Sequence, residues 1–257
     1  MKQRLDQVMT KRGLTPSRSQ AESWIRLGKV TVEGKVVMKP GFFVHDEACI
    51  TLSATEQYVS RAGLKLASVA NKFGVQFTDK IVLDVGSSTG GFTDYALQHD
   101  AKKVYAVDVG TDQLHPSLRG NARIELHEKT DIRNVHRESK AGRHGPSRGQ
   151  VLIADALDIV VIDVSFISLR QILPHIGNLC DAHTQILAMV KPQFEATKAQ
   201  IGSSGVIKND NVRRTILKDF EQWSKQYFRI IDKADSEVKG SRGNQERFYL
   251  LQIILKR

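Results

Sequence analysis

The chain has 257 residues, enough for one or two domains at about 150 residues each and for a substantial core, which excludes a disulfide-stapled mini-protein. Its 38 lysines and arginines outnumber 28 aspartates and glutamates for a net charge of +10, while apolar content of 40% and charged content of 26% stay in the globular range, so this is a folded basic protein and not a disordered tail. Cys49 and Cys180 lie far apart, with no C-x-x-C and no clustered histidines, which argues against a disulfide framework or structural zinc and fits a reducing cytoplasm. The opening MKQRLDQVMTKRG has no apolar core of signal-peptide length, and no apolar stretch approaches the roughly 20 residues needed to cross a bilayer. Neither export nor membrane contact is expected.

Before residue 40, Lys2, Arg4, Lys11, Arg12, Arg18, Arg26, Lys29, Lys35 and Lys39 face only Asp6, Glu22 and Glu33, a local charge of +6. Charge alone leaves two readings open, a polyanion-binding face or a solvated surface. Leu5, Val8 and Met9 at i, i+3, i+4 predict a short amphipathic helix ended by Gly13. A second helix starts at Ser17 or Ser19, turns Ala21, Trp24 and Ile25 inward, and ends at Gly28. Val30, Val32 and Val36 then alternate around Glu33-Gly34-Lys35, a hairpin signal. The core SR-x-x-A-x-x-x-I-x-x-G-x-V-x-V-x-G, followed by KPG, resembles the S4 RNA-binding domain. That resemblance implies a small α+β domain over residues 1–59 that grips structured RNA, with Arg4, Lys11, Arg12, Arg18, Arg26 and Lys29 as its RNA-binding candidates.

From Lys80 onward IVLDVG, VYAVDVG, DIVVIDVSF and QILAMVKPQF form short apolar runs with helix-length segments between them. Buried strands alternating with helices predict an α/β fold with a parallel sheet covered on both faces, and RFYLLQIIL supplies a last strand. Residues 136–149, HRESKAGRHGPSRG, are basic and poor in apolar side chains and read as a mobile surface loop.

The turn after the first of these strands reads Asp84-Val85-Gly86-Ser87-Ser88-Thr89-Gly90-Gly91-Phe92. A glycine-rich turn from strand to helix brings backbone close to a ligand and aims helix N-terminal amides at an anionic group. Phe92 stands where a Walker loop needs lysine, and Ser88 stands where a dinucleotide loop needs glycine, so both ligands are disfavoured. An acidic strand end at Asp84, small loop residues, and Asp108 at the end of the second strand suit S-adenosylmethionine, whose carboxylate, ammonium, ribose and adenine spread along the strand ends. Asp131, in KTDIRN, is either a partner for the adenine amino group or a helix-cap aspartate.

Four ionisable residues stand at strategic positions: Lys65 in YVSRAGLKL, Asp163 ending VVIDVSF, Lys191 ending QILAMVK, and Glu246 opening the last strand. Each alone reads as an ordinary surface or capping residue. Together they resemble the Lys-Asp-Lys-Glu tetrad of the FtsJ-like RNA 2′-O-methyltransferases, and DVGSSTGGFTD resembles that family's cofactor loop. With YVSRAGLKL at the junction and VVIDVSFISL and VKPQFE inside, the whole chain resembles the TlyA family of ribosomal RNA methyltransferases.

The resemblance implies a Rossmann-like methyltransferase domain over 60–257 with an antiparallel C-terminal strand and an interdomain linker over 58–64; the basic segment over 136–149 departs from the family pattern and reads as an insertion that bears on substrate contacts, not on the chemistry. The resemblance also implies methyl transfer to ribose 2′-hydroxyls of ribosomal RNA cytidines, with Lys65, Asp163, Lys191 and Glu246 catalytic. Asp84, Gly86, Ser87, Ser88, Gly90, Gly91, Phe92, Asp108 and Asp131 are the cofactor-binding candidates. A ribose hydroxyl is a poor nucleophile at neutral pH, so positioning and proton removal are the protein's tasks. Lys191 acts on the hydroxyl, Asp163 orients Lys191, and Lys65 and Glu246 hold the ribose and the first lysine. No metal is needed, because a sulfonium already makes its methyl electrophilic. The partners are ribosomal RNA or ribosomal subunits, with the oligomeric state left open. A base methyltransferase would carry a nucleophilic cysteine or an Asn/Asp-Pro-Pro-aromatic signature where Asp163-Val164-Ser165-Phe166 stands. Two other classes are a membrane-active haemolysin, a label often given to this family, and a non-catalytic RNA-binding assembly factor.

Overall fold

The computed structural model describes residues 2–53, 58–138, 149–201, 205–240 and 243–254. The chain opens with β1 (Lys2–Arg4), α1 (Leu5–Lys11) and α2 (Arg18–Arg26). Ser17 caps α2 by accepting a hydrogen bond from the Gln20 amide at 3.3 Å, which satisfies one of the helix's orphan donors. The expected hairpin forms between β2 (Val30–Val32) and β3 (Lys35–Val36). Its two turn residues, Glu33 at φ 50° and Gly34 at φ 73°, are both left-handed, as a two-residue hairpin turn requires. Like β1, the strands β4 (Phe43–His45) and β5 (Ile50–Leu52), which complete the module, are not anticipated from sequence. β5 joins β2 and β3 in an antiparallel sheet, and β4 pairs with β1.

The next helix, α3 (Arg61–Ala70), is capped by Ser60. Of the linker expected over 58–64, the residues from Arg61 onward are therefore helical. The second half then runs β6 (Ile81–Val85), α4 (Gly91–Gln98), β7 (Lys103–Val107), β8 (Ile124–His127), β9 (Val135–Arg137), β10 (Val151–Ile153), β11 (Ile159–Ile162), α5 (Leu173–Leu179), β12 (Gln185–Val190), α6 (Pro192–Glu195), α7 (Asp210–Ser224), β13 (Phe228–Asp235) and β14 (Arg247–Ile253). Seven strands, in the order β13-β14-β12-β11-β6-β7-β8, form one sheet in which β14 runs antiparallel to both neighbours. The parallel sheet and antiparallel C-terminal strand are thus as expected. β13 lacked an apolar run because it is an edge strand with most of its side chains at least partly exposed.

The expected loop over 136–149 needs correction at its start. His136 and Arg137 belong to β9, which pairs in parallel with β10. Arg137 is 7% exposed and its guanidinium reaches the half-exposed Asp181 at 2.5 Å, so a basic residue read as loop surface is a buried side chain with a carboxylate partner. The remainder, 139–148, lies outside the described residues.

Two apolar layers cover the sheet. Val82, Val104, Val161, Met189 and Phe248 face α3 and α4, while Leu83, Val107, Val160, Ile162 and Leu251 face α5 and α7. The first layer continues without a break into Leu5, Met9, Trp24, Ile25 and Val30 of the N-terminal module. Tyr58, 2% exposed, sits at the join with its ring 5.5 Å from that of Tyr95 on α4. The connecting backbone is held from both sides: Gln20 of α2 donates to the Tyr58 carbonyl, and the Val59 amide donates to Asp94 of α4 at 2.7 Å.

Because both modules share one core, thermal unfolding should show a single cooperative transition. Tyr58→Ala should lower the whole transition, at about 3–5 kcal/mol for a deleted buried aromatic, without splitting it. Two resolved transitions by calorimetry would contradict a shared core.

Candidate active site

The strand order reverses at β6, whose partners β7 and β11 diverge to opposite sides of the sheet. Ligands of open α/β sheets collect in the crevice beyond the carboxyl ends of the strands at such a switch. Here that crevice is a cavity of about 370 Å³ lined by Gly86, Ser88, Asp108, Gln113, Asp131, Asp163 and Phe166 among others. Gly86 sits at φ +81°, and a Cβ there would lie 2.8 Å from the Asp163 carbonyl oxygen. Only glycine lets the two strand-end loops meet.

The candidate cofactor residues separate into two groups. Gly86, Ser88, Asp108 and Asp131 line the cavity. Asp108 accepts from the Ser88 amide at 2.8 Å and the Gly110 amide at 2.7 Å, so it shapes the loop it was expected to complement. Asp131 lines the cavity and also caps the following turn, accepting from the Arg133 amide at 2.9 Å while pairing with the Arg133 guanidinium at 2.6 Å. The other group supports the loop from beneath. Ser87 is 5% exposed with its amide on the Val107 carbonyl at 3.2 Å. Gly90 abuts Leu114 and Leu118, and Gly91 abuts Ser60 and Ala62 at the start of α3. Phe92 is 2% exposed, with its ring 6.1 Å from that of Phe248 in the core.

Asp84 is fully buried and accepts from the Thr93 hydroxyl at 2.7 Å, while its Oδ1 has no partner among the described residues. Burial pushes its carboxyl up to about 7, with the nearby Asp163 and Asp108 charges acting in the same direction against the Thr93 bond. Of these three acids Asp108 and Asp163 line the cavity, and Asp84 lies buried behind them.

The four candidate catalytic residues form two short ion pairs. Lys191 Nζ lies 2.6 Å from Asp163 Oδ1 and donates to Ser165 Oγ at 2.8 Å. Lys65 Nζ lies 2.6 Å from Glu246 Oε2, with the two side chains 10% and 3% exposed. Lys65, Lys191 and Glu246 line a second cavity of about 590 Å³. Ser165 and Phe166 line both cavities, so the two spaces adjoin there. Phe166 is 88% exposed at φ 66°, a left-handed conformation that costs a bulky residue strain. Its ring lies 5.4 Å from that of Phe194. Reading the sequence missed Ser165, Phe166, Gln193 and Phe194 as cavity residues; their place beside Asp163 and Lys191 at the strand ends was the available signal.

The N-terminal module reaches this second cavity through Ser19, which stands on its rim. Arg61 donates to Ser19 Oγ at 3.3 Å and to the Lys239 carbonyl at 2.5 Å, joining α2 to the segment before Glu246. Among the RNA-binding candidates, Lys11, Arg12, Arg18, Arg26 and Lys29 are exposed. Arg12 donates to the Ala48 carbonyl at 2.6 Å and to that of Asp46. Arg4 and Arg18 both pair with the buried Asp6 at 2.8 Å. Burial alone pushes Asp6 up, and the two guanidiniums overcome it to hold the carboxyl at about 2.

An α/β sheet of this order with two lysine–carboxylate pairs beside a strand-end crevice, behind a basic N-terminal module, defines a class: methyltransferases of the FtsJ type joined to an S4 domain. The FtsJ-like methyltransferase family matches residues 58–253, and the S4 domain matches residues 3–48. Hemolysin A of Brachyspira hyodysenteriae is 35% identical over 98% of this chain and 100% of its own length. The 16S/23S rRNA (cytidine-2′-O)-methyltransferase TlyA of Mycobacterium tuberculosis is 34% identical over 97% of this chain and 89% of its own. A solved structure from Streptococcus thermophilus, described as a candidate hemolysin, is 34% identical with a TM-score of 0.69 over 98% of this chain and 88% of that one. The chain belongs to the TlyA family of FtsJ-like methyltransferases. Among the described residues, no helix is long and apolar enough to cross a membrane.

The raised Asp84 has a measurable consequence. Its folded-state value of about 7 lies above the ordinary 3.8, so between those limits the folded protein holds a proton that the unfolded chain releases, and stability falls as pH rises through this window. The melting temperature of Asp84→Asn minus that of the parent should therefore grow from pH 4 to pH 7 and level off above it. A difference flat across that range would show that Asp84 titrates normally.

Proposed function

We propose that this chain transfers a methyl group from S-adenosylmethionine to the ribose 2′-hydroxyl of a ribosomal RNA cytidine, in the cytoplasm where ribosomes lie. The observation that carries this reading is the pair of lysine–carboxylate contacts, both at 2.6 Å, at a cavity that adjoins the strand-end crevice through Ser165 and Phe166. The ribose, the ribosomal RNA and the cytidine are taken from the named activity of the Mycobacterium tuberculosis relative, and the S4 domain supports an RNA substrate.

The crevice fits the cofactor on its own chemistry. Asp108 and Asp163 on its wall favour a cation, and Gly86, Ser88, Gln113 and Asp131 on the same wall offer backbone and polar groups to the rest of the ligand. Gly86, Ser88, Asp108 and Asp131 would hold S-adenosylmethionine, while Asp84, Ser87, Gly90, Gly91 and Phe92 hold the loop that receives it. When bound, the sulfonium supplies an electrophilic methyl group.

The remaining work belongs to the side chains. Lys191 orients the 2′-hydroxyl and takes its proton, for which its ammonium must first give up a proton to solvent. Asp163 and Ser165, at 2.6 and 2.8 Å from Lys191 Nζ, fix the direction of the amine. Lys65, held by Glu246, is placed for the ribose or the adjoining phosphate. The exposed Phe166 offers an aromatic face on which an unstacked base can lie. Lys11, Arg26 and Lys29 supply phosphate contacts, whereas Arg4, Arg12 and Arg18 mainly hold the S4 module together. Base methylation through a cysteine is disfavoured, since Cys49 and Cys180 line neither cavity.

With purified ribosomal subunits, Lys191→Ala should lower kcat by roughly 10²- to 10⁴-fold, the usual range for a general acid–base group, and leave cofactor and RNA affinity within about threefold. The methylated nucleotide should resist alkaline cleavage of its 3′ phosphodiester. An alkali-labile methylated product, or a Lys191→Ala effect below tenfold, would rule out this mechanism.

A further inference from the structure

The VKPQFE segment ends in Glu195, to which the mechanism above gives no role. Its side chain is 1% exposed. An ionisable group so withdrawn from water loses hydration that must be offset by directed donors, and all those donors come from one neighbouring loop. Ser168 Oγ donates to Glu195 Oε2 at 2.7 Å, the Leu169 amide donates to Oε1 at 2.7 Å, and the Arg170 guanidinium stands 3.4 Å from Oε2. Arg170 in turn lies over the Trp223 ring of α7.

The position of this contact gives it meaning. Asp163, Ser165 and Phe166 leave the end of β11, Lys191 leaves the end of β12, and beyond those ends the ladder between the strands stops. Glu195 lies four residues beyond Lys191, at the end of the short α6, whose first turn is closed by the Phe194 amide on the Lys191 carbonyl at 2.9 Å. Ser168 and Leu169 lie two and three residues beyond the strained Phe166. The carboxylate thus bolts together the two loops whose separation sets the Lys191–Asp163 contact, and a left-handed Phe166 persists only where its surroundings over-determine it.

We infer that Glu195 is a positioning residue for methyl transfer: by gathering Ser168, Leu169 and Arg170 it holds the Asp163–Phe166 loop in register with Lys191. This inference rests on the reading under Proposed function for what the loop does, but the clamp itself is testable without it.

The experiment compares the full-length parent, Glu195→Ala and Glu195→Gln by steady-state methyl transfer to ribosomal subunits, calorimetric S-adenosylmethionine binding, and amide hydrogen exchange over residues 164–169. Misplacing a reactive group costs rate more than ground-state binding. Glu195→Ala should therefore lose at least about tenfold in kcat, keep KM for RNA and cofactor affinity within about threefold, and exchange faster at Leu169. Glu195→Gln keeps an oxygen for the Leu169 amide and should recover most of the rate. The inference is overturned if Glu195→Ala keeps kcat within about twofold, if exchange over 164–169 is unchanged, or if kcat, both affinities and the melting temperature fall together. Should Glu195→Ala fail to fold, Ser168→Ala, which removes the hydroxyl donor to Oε2, is judged by the same exchange and rate criteria, with partial loss expected and parent-like values in both overturning the clamp. A parent that transfers no methyl group defeats the proposed function, and the exchange comparison then decides the clamp alone.

Discussion

At the switch between β6 and β11 two strand-end loops come so close that a Cβ on Gly86 would stand 2.8 Å from the Asp163 carbonyl oxygen. One side of this contact is the wall of the smaller cavity, and the other leads through Asp163 to Lys191. A single backbone approach therefore sets the distance between what the crevice receives and the amine in the neighbouring cavity. In-line transfer between two bound groups is sensitive to about 1 Å of misplacement, and a glycine against a carbonyl is a stiffer spacer than any pair of side chains. The sheet beneath supports that stiffness, since Leu83, Val85, Val160 and Ile162 are packed into the same apolar layer.

The two ion pairs are poorly explained as stabilisers. Removing a lysine and a carboxylate from water costs several kcal/mol for each ion, and apolar residues of similar volume often do as well or better. Lys65 and Glu246 are 10% and 3% exposed on their side chains, so they carry that cost nearly in full. They come from α3 and from the residue just before β14, elements that a larger apolar pair could join as firmly. What an apolar pair could not provide is a charged donor fixed at the wall of a cavity.

The sequence made the sheet and the loop legible because both obey local rules. Continuous apolar runs mark strands buried on both faces, and the glycine pattern after β6 marks a close backbone approach. β13 escaped because an edge strand lacks that run. Arg137 escaped because its partner Asp181 is distant in sequence, so its charge looked like surface. Within the loop from Asp84 to Phe92 the sequence offers no way to tell one candidate from the next, yet a tight turn points successive residues in opposite directions. Gly86 and Ser88 therefore face the cavity, whereas Gly91 faces α3 and Phe92 the core. Lys65 and Glu246 are 181 residues apart in number, and no spacing rule joins them; only a family's pattern does.

Charge counting is least secure in the S4 module, where geometry redistributes what composition lumps together. Arg4 and Arg18 are committed to Asp6, a buried carboxylate that would otherwise be left without counter-charge. Neutralising them removes structure together with positive potential, so weaker RNA binding in such variants would not by itself report phosphate contact. Lys11, Arg26 and Lys29 do not carry that burden. The same α2 that bears Arg26 places Ser19 on the rim of the larger cavity, tied through Arg61 to the segment before Glu246. RNA held on this module would need no long reach, because the helix that bears Arg26 is itself part of the wall around Lys65 and Lys191.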